Sequence, residues 1–416
     1  MPPLLTPRLR RRALRGRMSV NTQVEQLDFA APPVVRQWHV RALIAAGVFS
    51  VAAIAGAVLN PAQALHSYLV GFMLILGLSL GPLGLLMVWH LTGGGWGVGI
   101  RRILEAAVAS LPLVILAFIP LLLGLQENYK WARPEVLAQS EHIRQLAEKY
   151  LNFRFFLGRA IAYFLSWGAL AFFLLKWSRM EERGAGGLGS KYRALSAPGL
   201  VLYFWTITFA IVDWVMSAAV PWMSTIYALI FAIGQGMIGL CLTVLVARAL
   251  RREGRMREVL KPDNFHDYGK LMLMFVMIWA WFNFSQWLLI WSGNLPEEIR
   301  FYIDRSRGGW ENVVLLLVFG YFAVPFALLL SRGLKKDPNR LARVAAWLIF
   351  MRYVDLYWNI APNYSPEHFH YSWLDAVVPL AMFALWLTFF FWNMQRKPLV
   401  SVNDPNYQKF LEPHHG

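Results

Sequence analysis

The chain has 416 residues, of which 57% are hydrophobic and only 15% are charged, and its apolar residues fall in long blocks. This composition excludes an ordinary soluble domain and indicates an integral membrane protein. The net charge of +16 would suit nucleic acid, but the basic residues lie in short runs between apolar blocks, as membrane topology requires. We therefore expect the lipid bilayer as a partner and no nucleic acid.

The single cysteine, Cys241, lies inside an apolar block. One thiol forms neither an internal disulfide nor a cysteine-ligated iron–sulfur or zinc site. The histidines lie at the ends of apolar segments or in loops, whereas a membrane haem needs histidines within facing helices. We expect no redox centre bound by this chain, so that any such centre belongs to a partner.

The first 41 residues form a basic segment with a run of arginines at 8, 10, 11, 12, 15 and 17. No apolar core follows closely enough for a secretory signal peptide, which predicts an uncleaved cytoplasmic tail. Met18 follows the arginine run, so the start of the protein is left open between Met1 and Met18.

Ten apolar segments follow, each long enough to cross a bilayer as a helix. They lie at 42–59, 67–91, 103–125, 154–176, 198–218, 222–247, 267–292, 310–331, 343–360 and 372–394. Pro112, Pro120 and Pro325 fall inside these segments and predict kinks. The loops 126–153 and 293–309 mix charged and aromatic residues, which predicts short helices against the membrane surface.

The distribution of lysine and arginine predicts the orientation. About 29 of the 40 basic residues lie in tails and loops on one side of the ten segments, and about 7 lie in loops on the other side. Because cytoplasmic loops are enriched in basic residues, both termini are expected in the cytoplasm. The chain then divides into a basic tail (1–41), a ten-span membrane domain (42–394) and a cytoplasmic C-terminal tail (395–416).

Few ionisable side chains fall at bilayer depth, where each costs about 2.5–3.5 kcal/mol. Asp213 has no nearby partner in sequence and is the best single candidate for function, the alternative being a cross-helix pair with Arg159 or Arg352. Arg352 and Asp355 share a helix face, as a structural ion pair or as one wall of a cavity where Asp355 exchanges protons. Polar amides and hydroxyls at mid-depth continue a hydrogen-bonded path or join helices: Gln235, Asn283, Ser285 and Gln286.

The seventh segment begins with a charged cluster of His266, Asp267 and Lys270. Asp267 and Lys270 share a helix face, which predicts either a paired charge at the helix end or a group that handles protons. We expect His90 and Glu105, at the ends of the second and third segments, to gather near this cluster. An apolar middle would then separate an inner from an outer polar set, which suits two half-channels.

Four runs of the sequence resemble a known family. They are VDWVMSAAVPWMSTIYALIFAIGQG (212–236), FHDYGKL (265–271), FSQWLLIWSGNLPEEI (284–299) and RYVDLYWNIAP (352–362). They resemble the membrane subunits of alternative complex III, a bacterial quinol:cytochrome c oxidoreductase, and most closely the shorter of its two NrfD-like, polysulfide-reductase-type subunits. The resemblance covers roughly residues 38–396 and is specific in the second half.

The resemblance implies an all-α, ten-span protein of the bacterial inner membrane, built from two four-helix bundles and two flanking helices. The implied partners are the longer NrfD-like paralogue, an iron–sulfur protein and c-type cytochromes, which hold the iron–sulfur clusters and haem c. Menaquinol would be oxidised near the outer face, mainly in the paralogue. The positions that match the motifs take a proton role: Asp213, His266, Asp267, Lys270, Arg352 and Asp355. Arg159 and Asp213 are the candidate quinone-binding residues, with menaquinone as the ligand.

The sequence thus predicts a membrane subunit that supports menaquinol oxidation and provides a proton path, and its own part in catalysis is left open. A secondary transporter is one alternative, because ten spans with charges inside the membrane suit that class. Against it, no interrupted helices stand in corresponding halves of the chain. A purely structural assembly subunit is the other alternative.

Overall fold

The computed structural model describes residues 29–254, 256–401, 403, 404 and 407, and in this part of the chain it contains helices and no β-strand. The long helical segments are α1 (Pro33–Leu59), α2 (Pro61–Thr92), α3 (Arg101–Leu123), α4 (Phe153–Glu182), α5 (Gly189–Trp214), α6 (Tyr227–Leu250), α7 (Pro262–Gly293), α8 (Trp310–Leu330), α9 (Pro338–Ile360) and α10 (Trp373–Gln395). Among the described residues, all of these except α9 are long and apolar enough to cross a membrane. The chain is an all-α, multi-pass membrane protein.

The predicted segment 343–360 is helical, but α9 is too charged to count as a lipid-facing span. Its 23 residues are enough to cross a bilayer at about 1.5 Å per residue. It carries Arg340, Arg343, Arg352 and Asp355. The helix packs against α2, α6 and α8, and the last two of these charged side chains are buried among its neighbours. Within the described residues, nine spans therefore qualify by length and composition. The tenth, α9, buries Arg352 and Asp355 among its neighbours, whereas Trp347 and Phe350 near its middle are exposed.

Two four-helix groups and a flanking pair make up the membrane domain. In the first group α2 packs against α3 and α5, and α4 closes the ring against α3 and α5. In the second group α6 packs against α7 and α9, and α8 closes the ring in the same way. Helices α1 and α10 lie side by side, and α10 packs on α2. This is the arrangement of two bundles and two flanking helices that the sequence resemblance predicts.

The two bundles meet where α2 crosses α6, the two most enclosed helices of the fold. A Cβ atom on Gly81 of α2 would overlap the carbonyl of Gln235 in α6, and one on Gly239 of α6 would overlap Pro82. Small residues permit this close approach, which is how membrane helices gain packing energy in the absence of a hydrophobic driving force between them.

Prolines break the helices where the sequence predicts kinks. Helix α3 is interrupted just before Pro112 and again just before Pro120. In α8 a π-helical section, Leu317–Ala323, directly precedes Pro325. A proline cannot donate to the preceding turn, and its ring clashes with the carbonyl there, so the backbone adopts other hydrogen bonds at these points.

Both loops that were predicted to hold short helices do so. The loop 126–153 contains Pro134–Gln139 and Glu141–Lys149, and the loop 293–309 contains Pro296–Ile303. Each of these helices starts with an acidic residue in its first turn, which favours the positive end of the helix dipole.

The predicted N-terminal tail, 1–41, ends earlier than expected. Helix α1 begins at Pro33, because its first turns pack on α10, where the ring of His39 hydrogen-bonds the carbonyl of Thr388 at 3.0 Å. Residues 1–28, which carry the arginine run and both candidate start methionines, lie outside the described part of the chain.

The two ends of the helical domain differ in charge. We call the end that holds Arg101, Arg183, Arg251, Lys336 and Arg396 the basic face, and the other end the opposite face. The opposite face is formed by the loops that follow α1, α3, α5, α7 and α9. That the basic face is cytoplasmic stays a prediction from the distribution of lysine and arginine.

Candidate functional site

Asp213, in the last turn of α5, is bound by Arg159 of α4. The guanidinium donates from Nε to Oδ2 at 2.8 Å and from Nη2 to Oδ1 at 2.9 Å, and the Tyr163 hydroxyl donates to Oδ2 at 2.8 Å. The carboxylate is fully buried. The partner of Asp213 is therefore Arg159 rather than Arg352. Because both carboxylate oxygens accept hydrogen bonds, this geometry has the form of a structural ion pair.

Tyr150 covers the arginine of this pair. Its carbonyl accepts from Arg159 Nη1 at 3.1 Å, and its ring centre lies 3.9 Å from the guanidinium carbon. Burial raises the pKa of Tyr150 to about 12, so its phenol stays neutral at physiological pH. A cavity of about 660 Å³ opens nearby on the opposite face, but Arg159 and Asp213 do not line it. A quinone-binding role for these two residues stays a prediction.

Arg352 and Asp355 form a second ion pair, on the side of α9 that faces α6. Both side chains are buried. Asn359, one turn later, donates from Nδ2 to Asp355 Oδ1 at 3.3 Å and to the Asp355 carbonyl at 2.8 Å. A Cβ atom on Gly234 of α6 would overlap the Arg352 guanidinium. The predicted pair is formed, and protein encloses it on every side.

A third buried cation, Arg305, was not among the predicted site residues. It lies in the loop after α7 with 2% of its surface exposed and forms no ion pair with a carboxylate in the described part of the chain. Its N–H groups donate to the carbonyls of Phe301 at 3.1 Å, Trp358 at 3.3 Å and Asn359 at 2.9 Å, and to Asn363 Oδ1 at 2.8 Å. The guanidinium thus caps the C-terminal end of α9. Burial lowers the pKa of Arg305 to about 10, so it remains protonated at neutral pH.

Asn359 connects the second ion pair to this cap. Its amide group bonds Asp355, and its carbonyl accepts from Arg305. Arg305 in turn reaches Asn363, which is partly exposed at the opposite face. A continuous row of polar groups therefore leads from the Asp355 carboxylate to that face. At Asp213 both carboxylate oxygens are occupied by Arg159 and Tyr163, and the Arg159 side chain is itself 21% exposed.

A cavity of about 750 Å³ lies beside this row, between α7, α8 and the helix Pro296–Ile303. Trp279 lines the cavity and lies beside the Asp355 carboxylate. Tyr302 accepts from Gln286 at 3.1 Å and keeps its own proton to donate. The buried indole N–H of Trp358 has no hydrogen-bond partner among the described residues. Aliphatic side chains also line the cavity, together with five further aromatic ones: Trp281, Phe284, Trp287, Trp291 and Phe322. Apolar walls with a few convergent donors suit a planar ring that carries acceptor oxygens, such as a quinone headgroup.

The cluster at the start of α7 contains His266, Asp267 and Lys270 but not the two further residues that were expected there. Lys270 Nζ lies 3.0 Å from Asp267 Oδ1, and both side chains are about half exposed. His266 lies beside them near the protein surface. The structure does not bring His90 and Glu105 to this cluster, because Glu105 is buried in a separate ion-pair network and His90 stacks on an aromatic ring of α5.

That separate network centres on Arg101 at the basic face. Its guanidinium bonds Glu105 at 2.9 Å, Glu181 at 2.6 Å, Asp404 at 2.5 Å and the Tyr192 hydroxyl at 2.8 Å. All five side chains are buried. The network ties α3, α4 and α5 to the segment after α10. The described part of the predicted C-terminal tail is therefore packed against the membrane domain.

The uncharged polar residues at mid-depth join neighbouring elements. Gln235 of α6 accepts from the Tyr203 hydroxyl of α5 at 2.9 Å. Gln286 of α7 accepts from the Ser224 hydroxyl at 3.0 Å, just before α6. Asn283 donates to the Trp279 carbonyl, one turn back in its own helix, at 2.8 Å. These contacts favour interhelical joints over a continuous path through the membrane.

Comparison with known proteins gives no assignment. No model of a known protein family matches the chain, and no curated protein matches it. Within the described residues, no three histidine, cysteine, aspartate or glutamate side chains come together to hold a metal ion. The structure establishes the fold class, a multi-pass helical membrane protein, and the geometry of its buried charges.

Proposed function

We propose that this chain is a membrane subunit of a bacterial respiratory quinol:cytochrome c oxidoreductase of the alternative complex III type, located in the inner membrane. It assembles with the longer NrfD-like paralogue, an iron–sulfur protein and c-type cytochromes, which carry the redox metals. The proposal is supported by the four sequence runs that resemble this family and by ionisable groups held inside the helical domain. The role of the chain is to support menaquinol oxidation and to conduct protons.

The observation that carries the proton role is the position of Asp355. This carboxylate is enclosed in the second bundle, yet polar groups link it to the opposite face through Asn359 and Arg305. Oxidation of a quinol to the quinone releases two electrons, which the partner iron–sulfur clusters take, and two protons, which must reach water. Asp355 accepts a proton from the side of the aromatic cavity, and water along the polar row carries it to the opposite face.

Two cations lie near Asp355 on or beside its own helix. Arg352 pairs with the carboxylate directly, and Arg305 adds a positive charge at the end of the same helix. Opposite charge favours the ionised carboxylate, whereas complete burial favours the neutral acid, so the two effects oppose each other at Asp355. A membrane domain retains such charges at a cost of about 2.5–3.5 kcal/mol each on insertion scales, which favours a use for them.

The cavity beside Trp279 supports menaquinone binding better than Arg159 and Asp213 do. The Arg159 N–H groups already donate to the Asp213 carboxylate, whereas Tyr302 and Trp358 have protons left to donate. A photoreactive menaquinone analogue should label peptides within 277–303. Labelling confined to 150–217 would place the quinone at the first bundle instead.

Purification tests the assembly. The tagged full-length chain, extracted in mild detergent, should bring iron–sulfur and haem c subunits with it, seen as c-type absorption and by mass spectrometry of the subunits. A transporter would be isolated alone. Isolation of this chain without electron-transfer partners, from membranes that contain them, would contradict the proposal.

One observation favours the structural alternative for the first bundle. Asp213 is fully buried and both its oxygens are occupied by Arg159 and Tyr163. A carboxylate bound in this way holds α4 to α5 whether or not protons move. If Asp213→Asn lowers stability but leaves the proton yield per quinol unchanged, this pair is scaffold and the proton role belongs to Asp355 alone.

A further inference from the structure

A second cleft, of about 590 Å³, opens at the basic face between α3, α4 and the end of α10. Its mouth is strongly charged, with five basic and two acidic side chains and hence a surplus of three positive charges. The basic residues are Arg102, Arg179, Arg183, Arg396 and Lys397, and the acidic ones are Glu105 and Glu182. Three of the arginines, at 179, 183 and 396, are exposed and reach toward solvent or headgroups.

Arg102 is the buried member of this set. Only 4% of its surface is exposed, and its Nη1 bonds Glu105 at 2.7 Å and Ser178 at 2.6 Å and lies 2.6 Å from Glu182 Oε1. Its Nε and Nη2 atoms have no hydrogen-bond partner among the residues that the structure describes. Buried polar groups are nearly always satisfied, and a guanidinium binds phosphate or carboxylate oxygens best. Unused N–H groups on the wall of a cationic cleft therefore point to an anionic ligand.

The deeper part of the cleft is apolar and lies within the span. Its walls come from α3 and α4: Leu111, Pro112, Ile115, Ala171, Phe172 and Leu175. Gly168 lines the same groove, and a Cβ atom added there would meet no atom within 4 Å. The cleft thus combines a cationic mouth at the end of the helices with an open apolar groove that runs toward the membrane centre.

We propose that this cleft binds an anionic glycerophospholipid of the membrane. The phosphate lies on Arg102 and the exposed arginines around it, and the acyl chains follow the groove at Gly168. Inorganic phosphate would leave the apolar wall empty, and a zwitterionic lipid would leave the surplus positive charge unmatched. Basic pockets between membrane helices on the cytoplasmic side bind anionic lipid headgroups in this way. This inference is independent of the proposed respiratory function.

The test measures phospholipid bound to the full-length chain after delipidation, by native mass spectrometry and by thermal stabilisation in detergent. Phosphatidylglycerol should bind more tightly than phosphatidylcholine, and its affinity should fall with salt. Replacing the three exposed arginines together, Arg179→Gln, Arg183→Gln and Arg396→Gln, should weaken phosphatidylglycerol binding about tenfold or more. Gly168→Leu should remove the bound lipid by filling the groove.

Matched variants separate this site from general effects. Lys191→Gln, Arg193→Gln and Arg252→Gln remove the same charge from the basic face outside the cleft, and should leave binding unchanged. Gly158→Leu introduces the same side chain on α4 where space is also open, away from the cleft, and should retain the lipid. Equal binding of phosphatidylglycerol and phosphatidylcholine would overturn the proposal, as would equal stabilisation by inorganic phosphate. Retention of lipid in both cleft variants, or a protein chain seated in the cleft, would overturn it too.

Discussion

The guanidinium of Arg352 lies directly against the backbone of Gly234, where α9 crosses α6. Any side chain at residue 234 would occupy the space of the guanidinium. The glycine therefore makes room for a buried cation, and the cation in turn meets Asp355 on its own helix. Packing between the two helices and the position of the ion pair depend on each other.

Gly234→Ala should consequently destabilise the protein. In a helix this change is usually favourable by about 0.5–1 kcal/mol, but here the added methyl group displaces the guanidinium, and overpacking costs about 1–3 kcal/mol. Thermal unfolding in detergent measures this loss of stability, and we expect a lower unfolding midpoint for Gly234→Ala than for the unmodified chain. Gly158→Ala, on α4, adds the same methyl group in open space and should leave the midpoint unchanged or raised. Equal midpoints for both variants would mean that Arg352 moves aside freely.

The Arg159–Asp213 pair predicts an asymmetry between single substitutions. The side chain of Asp213 is fully buried, whereas 21% of that of Arg159 is exposed. Arg159→Gln therefore leaves a carboxylate sealed in protein and should cost about 3–5 kcal/mol, while Asp213→Asn leaves an arginine that can reach water and should cost less. Unfolding midpoints of the two variants measure the difference.

The double variant of that pair, compared with the two single variants, measures the coupling between the two side chains. Arg159→Gln with Asp213→Asn leaves no unpaired charge and should be more stable than Arg159→Gln alone. Strictly additive losses would show that the two side chains are not coupled in the protein.

Arg305→Lys tests the cap on α9. The four acceptors of Arg305 are three main-chain carbonyls and one side-chain amide oxygen. A lysine ammonium group has three donors on a single atom and cannot reach all four. We therefore expect buried acceptors without a partner, and a loss of folding stability of about 1–3 kcal/mol. Arg307→Lys, at an exposed position two residues away, should change stability by less than about 0.5 kcal/mol. A loss of stability at 307 equal to that at 305 would argue against a specific cap.

Asp404→Asn should release the segment that follows α10. Arg101 holds this carboxylate at 2.5 Å, and the contact ties the C-terminal segment to the basic face. The variant should be cut by protease after α10 several times faster than the unmodified chain, with the membrane helices intact on gels. An unchanged cleavage rate would show that other contacts suffice to hold the segment.

Local patterns predicted those parts of the site whose residues are close in sequence. Arg352 with Asp355 and Asp267 with Lys270 lie three residues apart, so a helix brings each pair to one face. The spans and the breaks near the prolines followed from hydropathy and backbone chemistry. The sequence did not predict the partners of Arg101, because Asp404 lies 303 residues away and only the packed bundle brings the two together.

Arg305 was missed for a related reason. It lies in a loop whose mixture of charge and aromatic residues predicts a surface helix, and its acceptors are mainly main-chain carbonyls, which leave no signal in sequence. Helix α9 was expected as a span with an Arg352–Asp355 pair, and those two charges are buried because α2, α6 and α8 pack against that part of the helix. Tertiary enclosure, which hydropathy does not report, decides both cases.

The most direct measurement is the number of protons released at the opposite face for each quinol oxidised by the reconstituted complex. Asp355→Asn removes the titrating group, and Asn359→Leu interrupts the polar row while leaving the Arg352–Asp355 pair in place. If Asp355 conducts protons, both variants, checked for complete assembly, release fewer protons per quinol than the unmodified complex. An unchanged proton yield in both assembled variants would contradict the proton role and leave this chain as a structural subunit.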